Sequence, residues 1–329
     1  MKYENYTRFG IHDKAERYVL SAYTSFIFLS SLIGDTLILI GSMRYNAIKL
    51  HKIMVVFIQY IAVADLVISI VRLLPGAVSL VANVWVFGDF LCSAGFFISG
   101  SFGGTIALLI GALTFAKFLI VKYPLRAVHF SKRAGHLTTL VMFSCMSSFG
   151  VLVAAEKGAY FSYVSYNCDY ALPADKSKID YVFGVVIGGV GLITTGIITV
   201  SSVMLLFLAK KIADRRAGGL QWQGIRTVLL TVVVYAIATV PLIVNLFEHP
   251  KNQPESTPTS YIAYTRFAMF ILYLQAPANF FIYTASLTSF QEFLKSRIRV
   301  VFASIRRRFV SSGDQRTAQQ ARERDRLLP

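Results

Sequence analysis

The chain has 329 residues, 55% of them hydrophobic and only 15% charged, with a mean hydropathy of +0.58, which is too apolar for a soluble globular protein and long enough for several membrane crossings. A formal net charge of +16 would suit a nucleic-acid binder, but ten of the 33 Lys and Arg lie between Lys295 and Arg326, beyond the last apolar run, where a cytoplasmic tail is expected. The five histidines, His12, His51, His129, His136 and His249, fall in different loops or span ends, so neither a metal centre nor an acid–base enzyme site is indicated.

In chain order, Met1 to Arg17 is polar and carries Asn5-Tyr6-Thr7, the only Asn-x-Ser/Thr sequon. The first apolar run, Tyr18 to Met43, is long enough to span and is expected to act as an uncleaved anchor. Further runs at 53–82, 90–121, 135–155, 179–209, 224–247 and 261–287 bring the expected spans to seven. If the N-terminus is outside, the inner loops and tail carry 23 Lys and Arg against nine in the outer segments, with Arg72 inside the membrane, which is the positive-inside pattern. Cys92 and Cys168 then fall on the oxidising side, while Cys145 sits mid-span and is expected to be a buried thiol.

Glycines cluster in the third run (Gly100, Gly103, Gly104) and the fifth (Gly184, Gly188, Gly189, Gly191, Gly196) without the Lys-Ser/Thr ending of a phosphate loop, so close helix packing is expected there. After the last span, Phe290, Phe293, Leu294, Ile298, Val301 and Phe302 recur at three- and four-residue spacing among Lys295, Arg297 and Arg299, predicting an amphipathic helix on membrane lipid over 288–303. The expected organisation is a 1–17 extracellular segment, an 18–287 seven-helix domain, that helix, and a disordered 304–329 cytoplasmic tail.

Trp85-x-Phe87-Gly88 followed by Cys92, Ile61-Ala62-Val63-Ala64-Asp65-Leu66, Pro241, and Asn279-Phe280-Phe281-Ile282-Tyr283 with Phe290 seven residues on resemble the motifs of rhodopsin-like (class A) G-protein-coupled receptors. The resemblance covers about 18–303 and departs from the pattern in several places. Asp35 replaces the first-helix asparagine, Ala116-Lys117-Phe118 replaces Asp-Arg-Tyr, Thr239 replaces the tryptophan before Pro241, and Phe280 replaces the seventh-helix proline.

What the resemblance implies is an all-α seven-transmembrane bundle with a short amphipathic eighth helix, a Cys92–Cys168 disulfide, no enzymatic activity and no cofactor. It also implies an extracellular ligand and a heterotrimeric G protein as partners, no nucleic acid, and a multi-pass plasma-membrane protein with its N-terminus outside and Asn5 glycosylated. Arg72, Ser99, Thr239 and Tyr273 are the candidate ligand-binding residues; Lys117, Asn279 and Tyr283 are the candidates for the inner switch and G-protein coupling. Seven residues past Asp65, Arg72 is expected two α-turns outward on the same face, about 10 Å away, either binding a ligand anion or pairing with an acid such as Glu156. Ser99 stands where amine receptors carry an aspartate, which argues against a monoamine ligand, and Tyr273 stands where opsins carry their lysine. Near the second-helix aspartate the family can hold a sodium ion, so Asp65 and Asp35 are either its ligands or a hydrogen-bonded pair sharing a proton. Lys117 is either a snorkelling anchor or a G-protein contact. The alternatives to a coupling receptor are a receptor-shaped protein that binds without coupling, and a seven-helix transporter or channel, for which the chain lacks inverted repeats and paired intramembrane charges.

Overall fold

The computed structural model describes residues 11, 13–45, 47–127, 129–157, 159–162, 166–170, 194–208, 219–247, 259–300 and 302–303. Its longer helices are α1 (Lys14–Arg44), α2 (Lys52–Ala82), α3 (Gly88–Lys122), α4 (Lys132–Lys157), α5 (Thr194–Leu208), α6 (Gly219–Phe247), α7 (Thr259–Tyr273 continued by Gln275–Ser286) and α8 over 288–300, with one short turn of helix, Pro124–Ala127, after α3. One antiparallel hairpin, β1 (Ala159–Ser162) with β2 (Asn167–Tyr170), joins the bundle at the end where α3 begins.

Helix α1 starts at Lys14, four residues before the apolar run, because Asp13 caps it: the carboxylate accepts from the Ala15 amide at 2.9 Å. The helices close a ring in which α1 packs on α2 and α7, α6 packs on α7 and α3, and α3 also meets α2 and α4. The larger core cluster holds Ile38, Ile58, Leu109, Leu113, Tyr283 and Phe290, and a smaller one under the hairpin holds Ile27, Leu73, Leu80, Tyr166, Phe270 and Tyr273. Large apolar side chains that remain exposed, such as Phe26, Val200, Ile237 and Phe281, lie mid-helix where lipid replaces water as the solvent.

Two helices depart from regular geometry. In α2, Ser69–Leu73 forms a π turn: the Leu74 amide bonds the Ser69 carbonyl, and Pro75 has no N–H to return the chain to α spacing at once. Gly95 of α3 accommodates this turn, since a Cβ there would stand 3.2 Å from the Val71 carbonyl oxygen. In α7, a 41° bend separates Tyr273 from Gln275. Pro277 cannot donate to the Tyr273 carbonyl, and the Leu274 amide bonds the Ile271 carbonyl instead at 3.0 Å. Phe280, in the family's proline place, packs against α1, where a Cβ on Gly34 would stand 2.6 Å from its own Cβ.

Four expectations need correction. Cys145 is exposed on the lipid-facing side of α4 and not buried. The glycines are not uniformly packing sites: a methyl on Gly104 would run into Met146 of α4, whereas Gly100, Gly103 and Gly196 face open space. Arg72 is not two α-turns above Asp65, because it lies inside the π turn, which breaks the register. Lys117 does not snorkel; it is buried, 5% exposed.

Candidate functional site

The bundle's centre holds a line of polar side chains in an otherwise apolar core. Ser31 and Asp35 lie four residues apart on one face of α1, Asp65 and Ser69 four apart on α2, and Asn279 and Tyr283 four apart on α7. The Ser69 hydroxyl donates to the Ser31 hydroxyl oxygen at 2.8 Å, and Ser31 donates to Asp35 Oδ2 at 2.7 Å. From the opposite wall the Asn279 amide donates to Asp65 Oδ2 at 2.9 Å. All six residues are buried, and the two carboxyl groups lie within electrostatic reach of each other. Asp35 Oδ1 and the Tyr283 hydroxyl have no hydrogen-bond partner here, which leaves acceptor capacity pointing into the cluster.

This donor set is the chemistry of a small hard cation, all oxygen with two acids and neutral hydroxyls nearby. Asp35, Asp65 and Ser69 would hold such an ion; the ion would supply the positive charge that a close carboxylate pair otherwise lacks. Among the described residues no group of three or more His, Cys, Asp or Glu could hold a metal ion.

Above this core the mouth is filled by the chain itself. Cys92 at the start of α3 is bonded to Cys168 in β2, with S–S 2.02 Å and Cα–Cα 5.3 Å across 76 residues. That bond anchors Tyr166 and Asn167, both buried. Tyr166, at φ 50°, accepts from the Ile11 amide at 2.9 Å and donates to Asn83 Oδ1 at 3.0 Å, tying the N-terminal segment to the end of α2. Asn167 lays its carboxamide over Gly76 of α2 and donates to the Tyr273 hydroxyl of α7 at 2.7 Å. The Tyr273 ring packs edge-on against Phe270, whose carbonyl accepts from Tyr23 of α1 at 2.9 Å.

Of the other ligand-binding candidates, Arg72 is half-buried inside the π turn, and the side chain of Glu156 lies outside the described residues. Ser99 is buried and donates to the Phe96 carbonyl at 3.1 Å; Thr239 donates to the Tyr235 carbonyl at 2.6 Å, so both hydroxyls serve their own helices. Asn5 lies outside the described residues. An apolar cavity of about 370 Å³ lies over the α7 bend between α1 and α6, with Ser30 its only polar lining side chain.

At the opposite end, Lys117 reaches from α3 to α6, where a Cβ on Gly224 would stand 2.5 Å from Nζ and 3.2 Å from Cε. Nearby, His51 precedes α2 edge-on to Phe130, and burial pushes its imidazole below the ordinary 6.5, with Lys52 and Lys117 adding repulsion and a backbone bond to Ala127 opposing them. On α8, Phe293 lies on Tyr45, and the Arg297 guanidinium is 3.8 Å above the Tyr45 ring.

Sequence reasoning missed Ser31, Ser69, Gly76, Tyr166, Asn167 and Gly224. Ser31 was legible as one α-turn before Asp35, and Asn167 as the neighbour of Cys168; the other four depend on contacts between distant segments.

The family model for the 7 transmembrane receptor (rhodopsin family) matches residues 34–283. A galanin receptor 2a from Danio rerio is 28% identical over 141 residues, 43% of this chain and 39% of that receptor. A 5-hydroxytryptamine receptor 4 from Cavia porcellus is 31% identical over 77 residues, 23% of this chain and 20% of its own. The chain thus spans well under half the length of the curated relatives it matches.

Proposed function

The chain belongs to the seven-transmembrane receptors of the rhodopsin family, and from that premise we propose that it is a G-protein-coupled receptor carrying the signal of an extracellular ligand to a heterotrimeric G protein. The observation that supports this best is the buried polar cluster across α1, α2 and α7, in which Ser69–Ser31–Asp35 and Asn279–Asp65 form two hydrogen-bonded sets whose carboxyl groups lie within electrostatic reach, set below the α7 bend. Burying that many polar groups in hydrocarbon is costly, and a helix bundle that must shift between two packings gives them a use.

On this reading the N-terminus and the Cys92–Cys168 end face outward, with Asn5 glycosylated, 18–287 forming the transmembrane domain, 288–303 lying on inner-leaflet lipid and 304–329 a cytoplasmic tail. The ligand approaches Tyr273 and Arg72, with Ser99 and Thr239 shaping the wall; Asn279 and Tyr283 relay the change, and Lys117 answers to the G protein. Asp65 and Asp35 hold a sodium ion in the resting packing.

A second reading is favoured by one observation: with Ala116-Lys117-Phe118 and a buried Lys117, the α3 cation is not presented to a partner. The protein then binds without coupling. An activation assay across the main G-protein families, with and without a ligand library, separates the two when run on the wild type and Lys117→Arg. Signalling by either supports the coupling receptor; silence of both at matched surface expression supports the binding protein.

A further inference from the structure

We propose that Asn167 is an internal ligand: its carboxamide occupies an amide-binding site formed by Gly76 and Tyr273, and by doing so sets the resting position of α7. The site is built for this group. A methyl on Gly76 would stand 2.7 Å from Asn167 Nδ2 and 3.3 Å from both Cγ and Oδ1, so the carboxamide rests in the space that the missing side chain leaves. Its Nδ2 donates to the Tyr273 hydroxyl at 2.7 Å, and both residues are nearly excluded from solvent, at 3% and 5% exposure. A buried amide seated against Gly76 and bonded to Tyr273 is expensive to displace unless another polar group replaces it.

Its delivery is as specific as its seat. The Cys168 disulfide fixes the next residue, and the buried Tyr166 hydroxyl, bonded to both the Ile11 amide and Asn83, fixes the one before. Three successive residues of one loop are therefore each tied to a different part of the bundle, and the middle one reaches α7.

Its point of contact gives it leverage. Tyr273 is the last residue before the 41° bend, and Asn279, on the far side of that bend, holds Asp65. Asn167 thus clamps the upper half of α7 to α2 just as Asn279 clamps the lower half, so losing the upper clamp alters the load on the lower one. The proposal rests on the receptor reading for its meaning, but the clamp itself does not require coupling to a G protein. A diffusible ligand of this site is an amide or a group that displaces one.

The test places an environment-sensitive fluorophore at Arg226→Cys, exposed on α6 near Lys117, in the full-length Cys145→Ser chain. Asn167→Ala, Gly76→Ala and Tyr273→Phe are each expected to change the open fraction in the same direction by about twofold or more, and Asn167→Ala with Tyr273→Phe by no more than either alone. Acetamide is expected to move the Asn167→Ala signal back towards the wild type, and acetate is not. A reporter unmoved by all three variants while thermal stability falls, additive single changes, or no response to acetamide would each overturn the proposal. Absence of G-protein activation alongside a reporter shift would count against the coupling receptor and leave the clamp standing.

Discussion

Lys117 and Gly224 meet across the gap between α3 and α6, the ammonium lying where a glycine Cβ would be only 2.5 Å away. An α3 cation is therefore held by the shape of α6 and not by an acid on it. Gly224→Ala is expected to displace only the flexible end of the lysine, so the cost to folding stays below about 1 kcal/mol, while the α3–α6 closure weakens by up to about fivefold. Spin-label distances between the two helix ends, read with thermal unfolding, check both parts. An unchanged distance distribution would show that Lys117 does not hold the closure.

Removing the amide that faces Asp65 has a different signature. Asn279→Ala leaves a buried carboxyl without its donor, which is expected to cost about 1–3 kcal/mol. Unfolding in detergent measures it. Replacing sodium with N-methylglucamine is expected to lower the wild-type Tm and leave Asp65→Asn unmoved, and an equal response of the two would remove the cation from the site.

Thiol chemistry should sort the three cysteines. In unreduced protein unfolded in detergent a maleimide is expected to modify Cys145 alone, since it is the free thiol and Cys92 and Cys168 are bonded to each other. Reducing that bond frees a long loop, worth roughly 4 kcal/mol in the loop-entropy model. Mass spectrometry of the labelled peptides gives the first result and the shift in Tm after reduction the second.

The response to pH should trace to His51. Its folded value lies below the ordinary 6.5, so the fold favours the neutral ring. Stability is then fully present above 6.5 and is lost as pH falls from there through the depressed folded value. His51→Gln is expected to flatten that acid limb of the stability–pH curve, and an undiminished limb in the variant would assign it elsewhere.

The spans were legible because twenty-odd apolar residues in a row have few other uses; among the described helices the short Pro124–Ala127 turn and α8 lie off the apolar runs, α8 where its own three- and four-residue spacing put it. Asp65, Asn279 and Tyr283 were legible as motif residues, and their meeting follows from the bundle. Cys145 was misjudged because a small thiol is equally at home against lipid and in a core, and hydropathy does not separate the two. The bend in α7 lies before Pro277, three residues ahead of the position where Phe280 replaces the family's proline, since proline acts on the carbonyl four residues before it. Asn167 carried no periodic signal, because its role depends on a glycine and a tyrosine more than ninety residues away on either side.

The π turn in α2 also bears on how any relative is compared with this chain. Five residues, Ser69 to Leu73, are wound in a wider turn with more residues per turn than those on either side, so α2 consists of two stretches in different rotational phase. Counting outward from Asp65 gives correct neighbours only as far as Ile68. Beyond Leu73, Gly76 and Leu80 correspond to positions that an unbulged helix would number differently, and a relative lacking the turn can be superposed on one half or the other only by opening a one-residue gap. An ungapped alignment through α2 would therefore assign the residues lining the mouth to the wrong face of the helix while leaving the core acid correctly matched.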